Sequence, residues 1–347
     1  MERLRAMRLR WAMLLMLILP WASHAQTAVA KYAGEFLALG EGGRALGMGS
    51  ASVAVAGDVT AGYWNPAGLA RIQYPQLVLM HDEWFGSLVN HDYGAVAIPF
   101  GPQTSLGLSV IRVGVDDIPD TRNAGVDAAG NLTYDPAQFS RVDPSRVTYF
   151  TSADWAFLFT YARSVSEDFS YGGNLKLIRR VLDHHGATGV GIDIGFLYRV
   201  HERVMLGANL QDVTTTLLAW DTGRKELISP TLKLGAAGAI DALGGRFTPA
   251  VDFDIRFEGR KYAAMMHLGR ISIDPHSGLE FQFKEVVALR VGYSDIKRMT
   301  YGAGVHLPKL NIDYSFVPFD GTDQLGNIHR ISLLFTLESD QFKRPAE

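Results

Sequence analysis

The stretch "VDFDIRFE", residues 251–258, alternates without a break. Val251, Phe253, Ile255 and Phe257 fall on one face, and Asp252, Asp254, Arg256 and Glu258 on the other. A repeat of two residues is the period of a β-strand, and it predicts a sheet with two unlike faces. The same pattern returns in "GLEFQFKE" (278–285), where Leu279, Phe281 and Phe283 oppose Glu280, Gln282 and Lys284. It returns again in "GIDIGFLYRV" (191–200) and "NIDYSFVPF" (311–319), with Asp193 and Asp313 on the polar side.

Which face lies outside decides the class. A water-soluble sandwich buries the apolar face. A transmembrane barrel turns it to lipid and lines its lumen with the polar one. Four features favour an all-β, antiparallel transmembrane barrel over the soluble alternative. Many strands approach the ~9–11 residues of a tilted membrane strand. Aromatic residues recur near strand ends, among them Tyr93, Phe100, Tyr149, Trp155, Tyr161, Tyr198, Tyr262, Tyr293 and Phe319, as in an interfacial girdle. Short turns alternate with long connections. The N-terminus carries an export signal. The spacing predicts about fourteen strands, at 77–86, 90–99, 103–114, 150–163, 169–182, 187–200, 204–212, 229–240, 247–258, 277–285, 287–295, 299–307, 309–317 and 328–337. An even number closes such a barrel without an edge. The lumen-facing charges expected from the alternation are Lys176, Asp193, Arg199, Asp254, Arg256, Glu280, Lys284, Arg290, Asp313 and Arg330.

The export signal comprises Arg3, Arg5, Arg8 and Arg10, the apolar run "WAMLLMLILP" (11–20), and small residues at Ser23 and Ala25. This is the layout of a cleaved signal peptide over 1–25. No later window is apolar enough for a membrane helix. The 347 residues carry a net charge of −3 and a pI near 6.4, with no basic footprint for nucleic acid. There is no cysteine, which removes disulfide and thiolate chemistry. The expected division is a plug segment over 26–74, a barrel over 75–338 and a polar tail over 339–347.

The plug expectation rests on "GSASVAVAGDVTAGYWNPAGLA", residues 49–70. Asp58 can cap a short helix over Val59 to Tyr63, just before Trp64. Asn65 and Pro66 form a second start, with Asn as N-cap and Pro at the first helical position. Ala67 follows, and Gly68 or the region near Arg71 ends it. Helices this short need a wall, and a wide barrel has one to offer.

Other chemistry has weaker support. "GEGGRALGMGS" (40–50) lacks the Lys-Ser/Thr of a phosphate loop and the strand–helix context of a dinucleotide fold. His184 and His185 are adjacent and read as a solvated turn. No Gly-x-Ser-x-Gly elbow frames a nucleophile. No enzyme and no cofactor are expected.

The stretch "EGGRALGMGSASVAVAGDVTAGYWNPAGLA" (41–70) resembles the N-terminal signature of the PorV/PorQ family of outer-membrane proteins, within the wider FadL-type superfamily of hydrophobic-compound transporters. Asn65-Pro66-Ala67 looks like the hatch motif that plugs the FadL barrel. The ending "LPKLNIDYSFVPFDGTDQLGNIHRISLLF" (307–335) is similar to the family's, through Asp313-Tyr314, Leu325-Gly326 and His329-Arg330-Ile331-Ser332. The departures are Ser50, where a third glycine is usual, and Gly57-Asp58, which replaces a double acid. The resemblance implies an outer-membrane protein of type IX secretion, which takes cargo with a C-terminal signal domain from a translocon. Phe139, Leu218 and Trp220 are then the loop anchors expected to touch cargo. Passive transport of hydrophobic small molecules, as in FadL-like proteins, is the alternative. The partners implied are outer-membrane lipid, the translocon and its cargo, or a hydrophobic small molecule.

Overall fold

A computed structural model describes residues 34–84, 87–257, 264–295, 297–318 and 327–345. The expected signal peptide, Tyr262, Phe319 and Leu325-Gly326 lie outside the described residues. The strands join into one closed, antiparallel ring of fourteen staves. These are β1 Gln76–Trp84, β2 Val89–Pro99, β3 Thr104–Asp120, β4 Thr148–Ser164, β5 Phe169–Leu182 and β6 His185–His201. β7 is Val204–Gln211 continued by Thr216–Trp220, and β8 is Lys225–Ile228 continued by Thr231–Gly238 and Ile240–Ala242. β9 is Gly245–Arg256, β10 Ile271–Phe283, β11 Val287–Tyr293, β12 Met299–Leu307, β13 Leu310–Val317 and β14 Ile328–Thr336. β14 pairs back onto β1, with Arg330 opposite Asp82.

The two faces are inverted relative to a protein soluble in water. In β9, Asp252, Asp254 and Arg256 are buried, while Val251 and Phe253 are exposed. In β6, Asp193 is buried and Val190, Ile192, Ile194 and Phe196 are exposed. The alternation therefore wraps an apolar belt around a polar interior, as a barrel set in a bilayer requires. The ring satisfies its backbone groups internally and leaves no edge.

The turns at 99–104, 164–169, 201–204, 242–245, 283–287 and 307–310 are short and share one end with both ends of the barrel's chain. The long connection 121–147 leaves from the other end and carries its own small ladder, Gly125–Val126 against Arg141–Val142. At the short-turn end the tail folds back. The Arg344 guanidinium donates to the carbonyls of Ile72, Gly101, Pro102 and Thr104 and to Ser105 Oγ, at 2.6–3.3 Å.

Four strands run well past the bounds that the alternation predicts. β3 continues to Asp120 through a bulge at Val115/Ile118, where Asp117 takes a φ of 56°. β10 begins at Ile271, so its alternation crosses Pro275. The segment 214–229, expected as a loop, folds as a hairpin, Thr216–Trp220 against Lys225–Ile228. Asp212 and Thr215, with φ of 53° and 57°, kink the chain before it. Leu217-Leu218 then hides the period of two.

Candidate functional site: the plugged lumen

Residues from Gly34 to Pro75 fold into the lumen as a string of short helices. They are a 3-10 turn Glu35–Ala38, α1 Gly43–Gly47, α2 Ala61–Trp64 and a 3-10 turn Pro66–Arg71. Asn65 caps the last of these. Its Oδ1 accepts from Ala67 N at 3.2 Å, and Pro66 occupies the first helical position. The Asn65 Nδ2 donates to Val53 O within the plug and to Phe196 O of the wall. The Asp58 cap is corrected: Asp58 accepts from Thr60 N and Thr60 Oγ1, but Thr60 is the N-cap of α2 and no side chain caps it, so the helix starts at Ala61. Tyr63, Trp64, Asn65, Pro66, Ala67 and Gly68 are all buried.

The wall is shaped to this segment. A Cβ built on Gly195 would stand 2.2 Å from Asn65 Oδ1, and one on Gly172 2.6 Å from the Pro66 carbonyl carbon. On Gly207 it would meet Val53 O at 2.4 Å, on Gly278 Met48 O at 2.3 Å, and on Gly292 Gly49 N at 2.2 Å. Each of these glycines shares its face with a lumenal polar residue; Gly172, Gly207, Gly278 and Gly292 let plug backbone touch wall backbone, and Gly195 makes room for the side chains of Asn65 and Pro66.

Polar wall side chains satisfy plug backbone groups that strands and helices leave over. Asp252 Oδ2 accepts from Ser52 N and Val53 N at 2.6 and 2.8 Å. Asn174 Nδ2 donates to Gly62 O, Asn209 Nδ2 to Trp64 O, and Thr300 Oγ1 to Gly47 O.

Two charge clusters also bind plug to wall. Arg44 from α1 grips Glu280 with two bonds of 2.8 and 3.0 Å. Glu280 also accepts from Arg290 Nε at 2.6 Å, and Arg290 Nη1 lies 2.7 Å from Asp313. Glu280 holds the Arg44 guanidinium further above its usual range. In the second cluster Glu41 Oε1 stands 3.0 Å from His91 Nε2, His91 Nδ1 3.2 Å from Asp82, and Asp82 accepts from Arg330 Nε. Burial pushes the Glu41 carboxyl up, against the opposing pull of His91. Further round the wall, Lys176 bridges Asp193 and Asp212 at 3.0 and 2.8 Å. Lys233 pairs with Asp254 at 2.7 Å, beside Arg256 and Asp274.

Eight of the charges expected in the lumen are buried there: Lys176, Asp193, Asp254, Arg256, Glu280, Arg290, Asp313 and Arg330. Arg199 is half-exposed at the short-turn end, 3.9 Å from Asp168. Lys284 is corrected. It is exposed in the turn after β10, where its φ of 48° ends the strand and with it the alternation. Leu218 is corrected as well. It is fully buried in the β7 hairpin and is no exposed anchor. Trp220 is half-buried beneath Arg180, at 5.9 Å. Phe139 is exposed, yet a Cβ on Gly125 would come within 2.1 Å of its ring, so it packs on its own loop. Glu41, Arg44, Asp82 and His91 escaped the sequence reading. Arg44 lies in a glycine-rich run, and His91 in a strand whose alternation is weak.

A cavity of about 250 Å³ lies over the plug toward the long-loop end. Leu39, Leu46, Val317 and Ile328 give it an apolar lining, and Tyr63, Trp64 and Trp84 an aromatic one. Arg330 stands 5.0 Å from the Trp84 ring and Lys233 5.9 Å from the Trp64 ring. A second cavity, of about 220 Å³, opens at the short-turn end between Arg71, Arg199 and the 164–169 turn.

No protein-family model matches the chain, and no curated protein matches it. Solved structures do. The chain is similar to the toluene transporter TodX of Pseudomonas putida, at 12% identity and a TM-score of 0.59 over 86% of this chain and 99% of that one. It is similar to the toluene transporter TbuX of Ralstonia pickettii, at 12% identity and a TM-score of 0.56 over the same shares. A FadL homologue of Pseudomonas aeruginosa matches at 11% identity and a TM-score of 0.51, over 85% of this chain and 97% of that one. The likeness is one of fold, a closed antiparallel β-barrel of fourteen strands.

Proposed function

We propose that the chain is an outer-membrane channel that admits small hydrophobic molecules past a lumenal plug. The observation that carries this reading is the cavity of about 250 Å³ over the plug, where Leu39, Leu46, Val317 and Ile328 and the rings of Tyr63, Trp64 and Trp84 form apolar surface beside charged groups such as Lys233, Asp254 and Arg330. Ligand sites are concave and mostly apolar, with a few placed polar groups. An engineered apolar cavity of about 150 Å³ is enough to hold benzene, so this one suits a molecule of about one ring. The fold it shares with two toluene transporters supports the same reading. The short-turn end, where the chain enters and leaves the barrel, faces the periplasm. A ligand entering at the long-loop end then meets the cavity first and the plug second. Passage requires the plug to shift, because Trp64, Asn65 and Pro66 fill the lumen below the cavity.

Secretion escort, which the resemblance to the PorV/PorQ family implies, has weaker support. One of its three expected anchors, Leu218, is buried in the wall, and the plug leaves the lumen no room for a folded cargo domain.

Uptake of labelled toluene into cells with a lipopolysaccharide-bearing outer membrane tests the proposal. Expression of the chain is expected to speed uptake. Equal uptake with and without the correctly inserted barrel would overturn it.

A further inference from the structure

Two buried polar side chains that line the cavity are left without hydrogen-bond partners at one atom each, among the described residues. His276 and Ser294 are each 5% exposed, and both line the cavity. His276 Nδ1 is 2.9 Å from Gly49 O, so it carries the proton and donates to that carbonyl. Its Nε2 has no hydrogen bond, the nearest carboxylate oxygen being on Asp254 at 3.7 Å. Ser294 Oγ has none either. Buried polar atoms are normally satisfied, and those that are not need an explanation. The lysine and the arginine at this site are already engaged. Lys233 is held by Asp254 at 2.7 Å, and Arg330 by Asp82.

We infer that the cavity takes an uncharged ligand with an apolar body of about one ring and a single hydroxyl, an alcohol or a phenol, which bonds His276 Nε2 and Ser294 Oγ. The inference rests on the channel reading above and narrows its substrate. A hydroxyl both donates and accepts, so it serves an imidazole nitrogen and a serine together. A carboxylate ligand fits poorly. To reach a cation it must break the Lys233–Asp254 pair and strand a buried Asp254, and Glu35 and Asp295 also line the cavity. A plain hydrocarbon fills the apolar part and leaves both atoms unpaired.

Three ligands of nearly equal shape separate these cases: 4-methylphenol, toluene and 4-methylbenzoate. Binding to the purified full-length barrel in detergent is read by calorimetry and by the fluorescence of Trp64 and Trp84. 4-Methylphenol is expected to bind about tenfold more tightly than toluene, the worth of one to two net hydrogen bonds, and 4-methylbenzoate least. Ser294→Ala, a small change that keeps the fold, is expected to erase most of the phenol's advantage and leave toluene unchanged. His276→Gln is the second variant and should do the same. Toluene binding as tightly as the phenol, or a phenol preference untouched by both variants, overturns the inference and leaves the channel reading standing. Failure of all three ligands to bind overturns both.

Discussion

Replacing Arg44 by Met removes the charged tie between the plug and the wall while keeping most of the side chain's length. Arg44 gives Glu280 two charge-assisted bonds, of 2.8 and 3.0 Å. Such bonds are worth about 1.5–3 kcal/mol each when buried. The Arg44 side chain is 32% exposed and Glu280 only 3%, so solvent screens part of this. A combined loss of about 2–3 kcal/mol follows from two bonds discounted in this way. Glu280 keeps Arg290 at 2.6 Å, so the substitution strands no buried charge on the wall. Arg44 makes no part of the strand ladder, and the barrel should remain as heat-resistant as before. The plug loses seating energy alone, and the population with a displaced plug should rise about 30- to 150-fold. Single-channel recording in planar bilayers measures the fraction of time spent conducting. Arg199→Met is the control, because Arg199 is half-exposed and its ion-pair partner, Asp168 at 3.9 Å, belongs to the wall and not the plug. If Arg44→Met stays as closed as the wild type and the control, the charge cluster does not hold the plug and the reasoning fails.

Asn65→Ala combined with Pro66→Ala removes a cap and two further hydrogen bonds. It should raise conductance, by loosening the plug about 1–2 kcal/mol through the lost cap alone, without changing the β-sheet content seen by circular dichroism. Gly278→Ala drives a methyl to within 2.3 Å of Met48 O and should cost about 1–3 kcal/mol as overpacking. Gly94→Ala on the outer face, whose nearest neighbour is 3.6 Å away, should leave the melting temperature unmoved. Arg344→Ala frees the carbonyls of Ile72 and Gly101 and should speed proteolysis at the short-turn end, read by limited digestion and mass spectrometry. A cysteine at Phe253 should react with a lipid-soluble maleimide and one at Asp254 should not; equal labelling would refute the register.

Most of the barrel was legible because its alternation is strict wherever one face meets lipid. "VDFDIRFE" and "GIDIGFLYRV" could be assigned a face residue by residue, since a slip of one position would put charge in the bilayer. Legibility failed where backbone geometry interrupts that rule. Asp117, Asp212 and Thr215 adopt left-handed conformations that no alternation announces, and the sequence beyond them looks like loop. Leu218 was misplaced for that reason. Lys284 was carried along by the alternation one residue past the end of its strand. In the plug, Asn65-Pro66 was readable because capping is local chemistry. The partners of Arg44 and Glu41 were not, because Glu280 and His91 are brought to them only by closure of the ring. The wall glycines left a usable trace. Gly195, Gly278 and Gly292 stand at lumenal positions next to charged residues, where a side chain would be expected unless backbone were to approach.

The central claim is that the plugged lumen holds a small molecule and not a protein partner. Native mass spectrometry of the protein extracted from its own outer membrane in mild detergent tests this most directly. A small, largely apolar molecule bearing a hydroxyl is expected to co-purify, to be released when the barrel is unfolded and to be reduced in Ser294→Ala. Secreted proteins sharing a C-terminal domain, or a large translocon barrel, co-purifying with no small molecule bound would contradict it.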